Sequence, residues 1–446
     1  MKQFTKLLSF FNHPIRSCIL AVASAVMLVS CGGGDAPRWI GTKQLGVAEQ
    51  VTLGDSVATD ANGNVYVAGT TYGGLDGNTL TGTRDFFVTK YDSSGVKQYT
   101  KQSGVTGIVT SGNSVTTDAN GNVYVAGNTQ GGLDGNTLTG IRDLFVTKYD
   151  SSGVKQYTRQ LGVAGKSAFG NSVATDANGN VYVAGYTNGG LDGNTLAGIE
   201  DFFVTKYDSN GIKQYTKQTG VTGIGTYGKS VATDANGNVY VAGYTTGGLD
   251  GNTRTGNADF FVTKYNSNGV KQYTKQTGVA GKLTVGNSVA TDANGNVYVA
   301  GYTTGGLDGN TLTGTRDFFV TKYDSSGVKQ YTKQSGVTGI VTSGNSVTTD
   351  ANGNVYVAGN TQGGLDGNAL TGTYDQFVTK YDSSGVKQYT RQLGVAGGDT
   401  YGNSVATDAN GNVYVAGTTY GGLDGNTLIG TRDFFVTKYD SSGVKQ

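Results

Sequence analysis

One 58-residue unit recurs seven times along this chain without a single insertion or deletion. The motif Ser-Val-Ala/Thr-Thr-Asp-Ala-Asn-Gly-Asn-Val-Tyr-Val-Ala-Gly starts at Ser56, Ser114, Ser172, Ser230, Ser288, Ser346 and Ser404. Seven units account for 406 of the 408 residues from Trp39 to Gln446. A fixed period of this length is the mark of a repeat architecture, in which each unit is too small to bury its own apolar face and must stack on its neighbours.

Each unit reads as four short strands. In the second copy they are 113–117, 122–126, 144–149 and 154–160, β-branched and aromatic, with no sustained helical period. Asp118-Ala119-Asn120-Gly121 joins the first two and Asp150-Ser151-Ser152-Gly153 the last two. An Asx residue opens each turn and a glycine stands where φ must be positive, the chemistry of a type I hairpin turn with a glycine bulge.

Tandem four-stranded units make either an open stack or a closed ring, and the ends decide between them. The chain stops at Gly443-Val444-Lys445-Gln446, where its fourth strand begins. The missing strand is at the other terminus: Thr42-Lys43-Gln44-Leu45-Gly46 matches Thr158-Arg159-Gln160-Leu161-Gly162. The expectation is an all-β, seven-bladed β-propeller closed by the N-terminal strand, which also removes the bare sheet edges of an open array. The segments Asp-Ala-Asn-Gly-Asn-Val-Tyr-Val-Ala-Gly and Phe-Phe-Val-Thr-Lys-Tyr-Asp resemble the bacterial seven-bladed β-propeller repeat family, SBBP, across all seven units. The resemblance implies a propeller and carries no activity or substrate with it.

Residues 1–30 read as an export signal. Lys2, Lys6 and Arg16 precede an apolar run over 18–28, short for a membrane span. Leu28-Val29-Ser30-Cys31 resembles a lipoprotein lipobox, which implies lipidation of Cys31. Residues 31–38 are then anchor and linker, reaching about 25 Å if extended, and 39–446 the propeller. The expected location is the cell envelope, lipid-anchored, at the outer membrane or cell surface. The other cysteine, Cys18, lies in the signal, so no internal disulfide is expected. Removing the signal leaves 30 basic against 32 acidic residues, a balance that gives no support for nucleic-acid binding. The 75 glycines and 2 prolines fit a chain of many tight turns. A monomer is expected.

The seven copies can be compared with one another. Residues 73–136 are identical to 305–368, so invariance reflects duplication and variation is the more informative signal. Phe87 and its equivalents never change, whereas the Phe86 column admits Leu144 and Gln376. The Phe87 column is therefore expected to be fully buried between blades and the Phe86 column less so. Propeller geometry places the turns at 60–63 and 92–95 on one face. The longer connections such as 73–85 and the links between blades such as 105–112 fall on the other.

Most variation falls on this link face. Just before the inner strand stand Leu53, Ser111, Phe169, Tyr227, Val285, Ser343 and Tyr401, expected to ring the channel mouth, with Tyr72, Tyr186, Tyr244, Tyr302 and Tyr420 ending second strands on the same side. The candidate binding face is Leu53, Phe169, Tyr227, Val285 and Tyr401 with these five tyrosines, since variable loops on a fixed scaffold commonly carry recognition.

Much chemistry is missing. The lone histidine, His13, lies in the signal, which removes Ser-His-Asp and Cys-His catalysis and imidazole metal sites from 39–446. The only glutamates, Glu49 and Glu200, do not recur, and the repeated aspartates sit at turn positions. No enzyme activity and no cofactor are expected. Calcium is the one ion the turn leaves open, because Asp60-Ala61-Asn62-Gly63-Asn64 begins like a calcium loop but lacks its distant glutamate. Two functional readings follow. One is a module binding a protein partner through the variable face. The other is a multivalent glycan binder using Leu75-Asp76-Gly77-Asn78 and its copies. A structural envelope protein is a third.

Overall fold

The computed structural model describes residues 38–446; the signal segment, Cys31 and the linker up to 37 lie outside the described residues. Trp39–Gln446 forms seven four-stranded antiparallel sheets. Blade one is Thr52–Thr59, Val65–Thr71, Asp85–Tyr91 and Lys97–Ser103, in that order from the axis outward. The second strand is buried along its whole length and the third over six of its seven residues, while the fourth is mostly exposed or half-buried. This grading is why the fourth strand tolerates Lys, Gln and Thr.

Blade seven is built from both ends of the chain. Thr400–Thr407, Val413–Thr419 and Asp433–Tyr439 are completed by Lys43–Leu45, with Lys43 opposite Val436 and Leu45 opposite Phe434. Lys445 bridges to Tyr439, and the Gly41 N–H donates to the Gln446 carbonyl at 2.9 Å, so the outer strand of this blade is spliced from the two termini. Trp39 locks the splice. It is 4% exposed, its ring centroid 6.0 Å from that of Tyr91 in blade one and 5.5 Å from Tyr414 in blade seven.

Neighbouring blades are tied by the same bonds at every seam, the closing one included. The Val115 N–H donates to the Ser56 hydroxyl at 3.1 Å and the Thr117 hydroxyl to the Thr59 carbonyl at 2.8 Å. At the closing seam the Val57 N–H donates to Ser404 and the Thr59 hydroxyl to the Thr407 carbonyl.

Three expectations are corrected. The inner strand starts earlier than its alternation shows, at Thr52, because a β-bulge between Gly54 and Ser56 interrupts the pattern. The Leu53 column thus lies within the strand instead of before it. The Phe86 column is as buried as the Phe87 column: Phe86, Leu144 and Gln376 all have no exposed surface. Phe86 packs on Phe145 of the next blade at 4.9 Å, and the equivalent pairs Phe202–Phe261, Phe260–Phe319, Phe318–Phe377 and Phe434–Phe87 cross four more seams. Gln376 survives there because its Nε2 donates to the Tyr439 hydroxyl at 3.0 Å, while its Oε1 is left without a partner. Last, the five tyrosines occupy two positions. Tyr186, Tyr244 and Tyr302 lie in second strands, whereas Tyr72 and Tyr420 follow theirs by one residue.

The two faces of the disc separate as expected. The turns at 118–121 and 176–179 join the 208–211 turn around one polar cavity of about 330 Å³. Links and second-to-third connections meet on the opposite face, where Thr83 donates its N–H to the Ile108 carbonyl.

Candidate functional site

On the turn face, the aspartate that opens each first hairpin is consumed by the fold. Oδ1 of Asp60 accepts the N–H groups of Asn62 and Asn64, and Oδ2 accepts Asn64 Nδ2 at 2.7 Å and the Tyr66 hydroxyl at 2.9 Å. Gly63 supplies the positive φ of 73° that this turn needs. The same four bonds recur at Asp118 and its other equivalents. The oxygens that resemble a calcium loop are therefore engaged in closing the turn, and among the described residues no three carboxylates converge as a metal would require.

The loop weighed as a glycan site is also engaged. Leu75 is buried and its N–H donates to Gln102 Oε1; Asp76 pairs with Lys97; Asn78 Nδ2 donates to the Leu75 and Thr100 carbonyls. Its copy in blade six borders an open depression of about 510 Å³ with Lys387 and Arg391.

The link face differs in kind. Phe169 stands opposite Tyr186, Tyr227 opposite Tyr244 and Val285 opposite Tyr302 in the inner pair of strands. Their rings form a continuous arc over blades three and four: Phe169–Tyr186 at 4.6 Å, Tyr186–Tyr227 at 5.1 Å and Tyr227–Tyr244 at 4.8 Å. A second cluster joins Tyr401 to Tyr374 and Tyr420 at 5.1 and 6.2 Å. Leu53 faces Thr70 and stands apart from both, and Val285 is buried at 7% exposure. The Tyr227 hydroxyl donates to Glu200 and that of Tyr401 to Asp399. Burial, followed by the bonded Glu200, pushes the Tyr227 phenol up to about 12.

Cations overlie these rings, and reading the sequence for aromatic columns alone missed them. Arg84 lies over Tyr72 at 4.9 Å, Arg142 over Phe169 at 4.8 Å, Arg316 over Tyr302 at 4.1 Å and Arg432 over Tyr420 at 4.6 Å. All four occupy one column immediately before the third strand, which elsewhere holds Glu200, Ala258 and Tyr374. That spread of residue types was the available signal.

At the bulge of the inner strand a further column breaks the symmetry. Asn113, Asn171, Asn287, Asn345 and Asn403 each donate to a glycine carbonyl of the next blade. Blade one has Asp55 here and blade four Lys229. Asp55 keeps some solvent exposure yet is crowded by protein atoms, and this burial pushes its carboxyl up to about 7. Lys229 lies 5.7 Å from the Tyr244 centroid, and burial lowers its pKa.

Comparison with known proteins fits this geometry. The family profile described as Beta-propeller repeat, SBBP, matches at 40–76, 98–134, 156–192, 214–250, 272–308, 330–366 and 388–424. The first window takes in the closing strand. Regulatory protein FlaEY of Caulobacter vibrioides is 27% identical over 381 residues, an alignment covering 74% of this chain and 39% of that protein. The uncharacterized WD repeat-containing protein L264 of Acanthamoeba polyphaga mimivirus is 23% identical over 460 residues, covering 74% and 32%. The chain thus spans well under half the length of either relative. Among solved structures, that of U3-55K superposes with a TM-score of 0.51 at 9% identity, covering 90% of this chain and 99% of that one, a likeness of fold alone.

Proposed function

The chain belongs to the SBBP beta-propeller repeat family, and from that premise we propose that it is a non-catalytic interaction module, lipid-anchored through Cys31 at the cell envelope, that takes a protein partner on its link face. One observation carries the reading: the aspartate that opens the first turn is spent on the fold in every blade, whereas the side chains of the link face are unequal from blade to blade and gather into aromatic and cationic arcs. Unequal chemistry around a ring suits one asymmetric partner. Rigid aromatics with arginine are the side chains that dominate protein recognition. Relatives described as regulatory and as WD repeat-containing are in keeping with binding work.

The glycan alternative requires a like group in every blade. The repeated loop that offered one has its polar atoms engaged internally, which weighs against it.

The test compares capture of partners from envelope extract by the full chain, by Tyr227→Ala/Tyr401→Ala, and by Asn120→Ala at an exposed turn tip. Loss of a captured protein only in the tyrosine variant supports the reading; equal capture by all three defeats it. Anchoring is tested separately: Cys31→Ser is expected to abolish incorporation of labelled fatty acid, and retained label would refute it.

A further inference from the structure

We propose that Arg432, Arg84 and Arg142, on consecutive blades seven, one and two, form a basic arc that binds an acidic segment of a polypeptide partner. This rests on the reading that the link face takes a protein, and it names the chemistry of that protein's contact.

Cations elsewhere in the described structure are mostly committed. Lys97 and its equivalents pair with Asp76 and its equivalents around the ring. Lys90 donates to the Ser151 carbonyl of the next blade, Arg159 to Gly211 and Arg391 to Gly443. Arg84, Arg142 and Arg432 form no ion pair among the described residues and rest on aromatic rings instead. Stacking occupies the flat face of a guanidinium and leaves its in-plane N–H donors for acceptors, the fork that a carboxylate matches with two bonds.

The three hold equivalent places on the link face, since Arg432 bridges to Val51, Arg84 to Val109 and Arg142 to Ser167 of the following link. Arg84 and Arg142 also lie close enough to repel. Burial foremost, and repulsion from Arg84 as well, lowers the pKa of Arg142. An incoming carboxylate offsets that repulsion with opposite charge. The acidic groups of this face are engaged or set back: Glu200 and Asp399 accept the Tyr227 and Tyr401 hydroxyls, Asp85, Asp143 and Asp433 beside the three arginines are buried and accept N–H groups of their own connections, burial raises the Asp55 carboxyl, and Glu49 lies at a link tip.

The rings themselves argue for carboxylates over bases or sugars. Phe169 has Tyr186 stacked at 4.6 Å and Arg142 at 4.8 Å, and Tyr420 has Arg432 at 4.6 Å with Tyr401 edge-on. Base and sugar recognition by stacking needs an open aromatic face, and in each of these rings an arginine or a stacked neighbour already takes one. Arg316 on blade five repeats the theme, with a buried Nε that lacks an acceptor.

The experiment measures fluorescence anisotropy of a labelled glutamate-rich peptide with the full chain. A lysine-rich peptide, single-stranded DNA and a sulfated polysaccharide serve as competing probes. The glutamate-rich peptide is expected to bind, to weaken about tenfold between low and physiological salt, and to lose at least about tenfold more in Arg84→Gln/Arg142→Gln/Arg432→Gln. Arg159→Gln, on the rim, is expected to leave binding unchanged. The Lys triple variant at the same positions, which keeps the charge, guards against misfolding and is expected to retain salt-sensitive binding. No binding by the wild type, equal binding by a folded glutamine variant, or tighter binding of DNA or polysaccharide overturns the proposal. Partner capture that survives the arginine variant but fails in Tyr227→Ala/Tyr401→Ala overturns this inference and leaves the link-face reading standing; capture that survives both overturns that reading too.

Discussion

The turn face and the link face are cut from the same 58-residue unit, yet they divide the work of the molecule between them. On the turn face Asp118 accepts three hydrogen bonds within its hairpin and a fourth from the buried hydroxyl of Tyr124. On the link face the backbone makes its own ties, such as Thr110 N–H to the Arg84 carbonyl, and the side chains above them are left to differ. A residue that satisfies buried polar groups cannot change cheaply; one that only covers a ring can. Seven copies of one unit make that contrast visible within a single chain.

The contrast can be broken first at the closing seam. Trp39 lies against the turn at Gly95, where a Cβ on the glycine would stand 2.9 Å from the indole. Trp39→Ala empties a buried site between blades seven and one and is expected to cost about 3–5 kcal/mol by denaturant unfolding. Asp118→Ala orphans two N–H groups and the Tyr124 hydroxyl, and an expected loss of about 2–4 kcal/mol should appear in the same assay. Tyr227→Ala, on the link face, removes a ring of similar size that is only half-buried; about 1–2 kcal/mol is expected. A larger loss at Tyr227 than at Asp118 would erase the distinction between the faces.

Two smaller tests concern columns where structure itself varies. Gln376→Phe restores the seam contact made by Phe318 and Phe377 and removes the orphaned Oε1, at the expense of the Tyr439 partner. A gain of about 1 kcal/mol in unfolding free energy is expected. Asp55 gives a pH signature. Folding raises its pKa to about 7, so the native state holds a proton that the unfolded chain releases near its ordinary value of about 4. Native protein binds more protons in that window, and stability falls as pH rises through it. Asp55→Asn, able to donate as the asparagines of five other blades do, is expected to be more stable than wild type above about pH 7, by on the order of 1 kcal/mol once solvent contact is allowed for. The difference should fade towards about pH 4, as urea melts at both values would show.

The period, the hairpin turns and the shared last blade were legible in the sequence because each rests on local chemistry or on counting. The match of Thr42-Lys43-Gln44-Leu45-Gly46 to a fourth strand foretold the pairing of Gln44 with Phe435. Burial of the Phe86 column was not legible, because Gln376 looks like a surface residue until Tyr439, a blade away, supplies its bond. Tyr72 and Tyr186 merged into one set because they stand two positions apart in the repeat, which strand alternation does not separate. The arginines over the rings escaped for a similar reason: Arg142 meets Phe169 across 27 residues and a blade boundary.

Photo-cross-linking tests the division of labour most directly. A benzoylphenylalanine installed at Tyr227 or Tyr401, and separately at Asn120 or Ser151, is irradiated in the full chain on intact envelopes. Adducts to a common protein from the first pair and none from the second are the expected result; adducts from the turn-face positions alone would contradict the assignment of the link face as the side that recognises a partner.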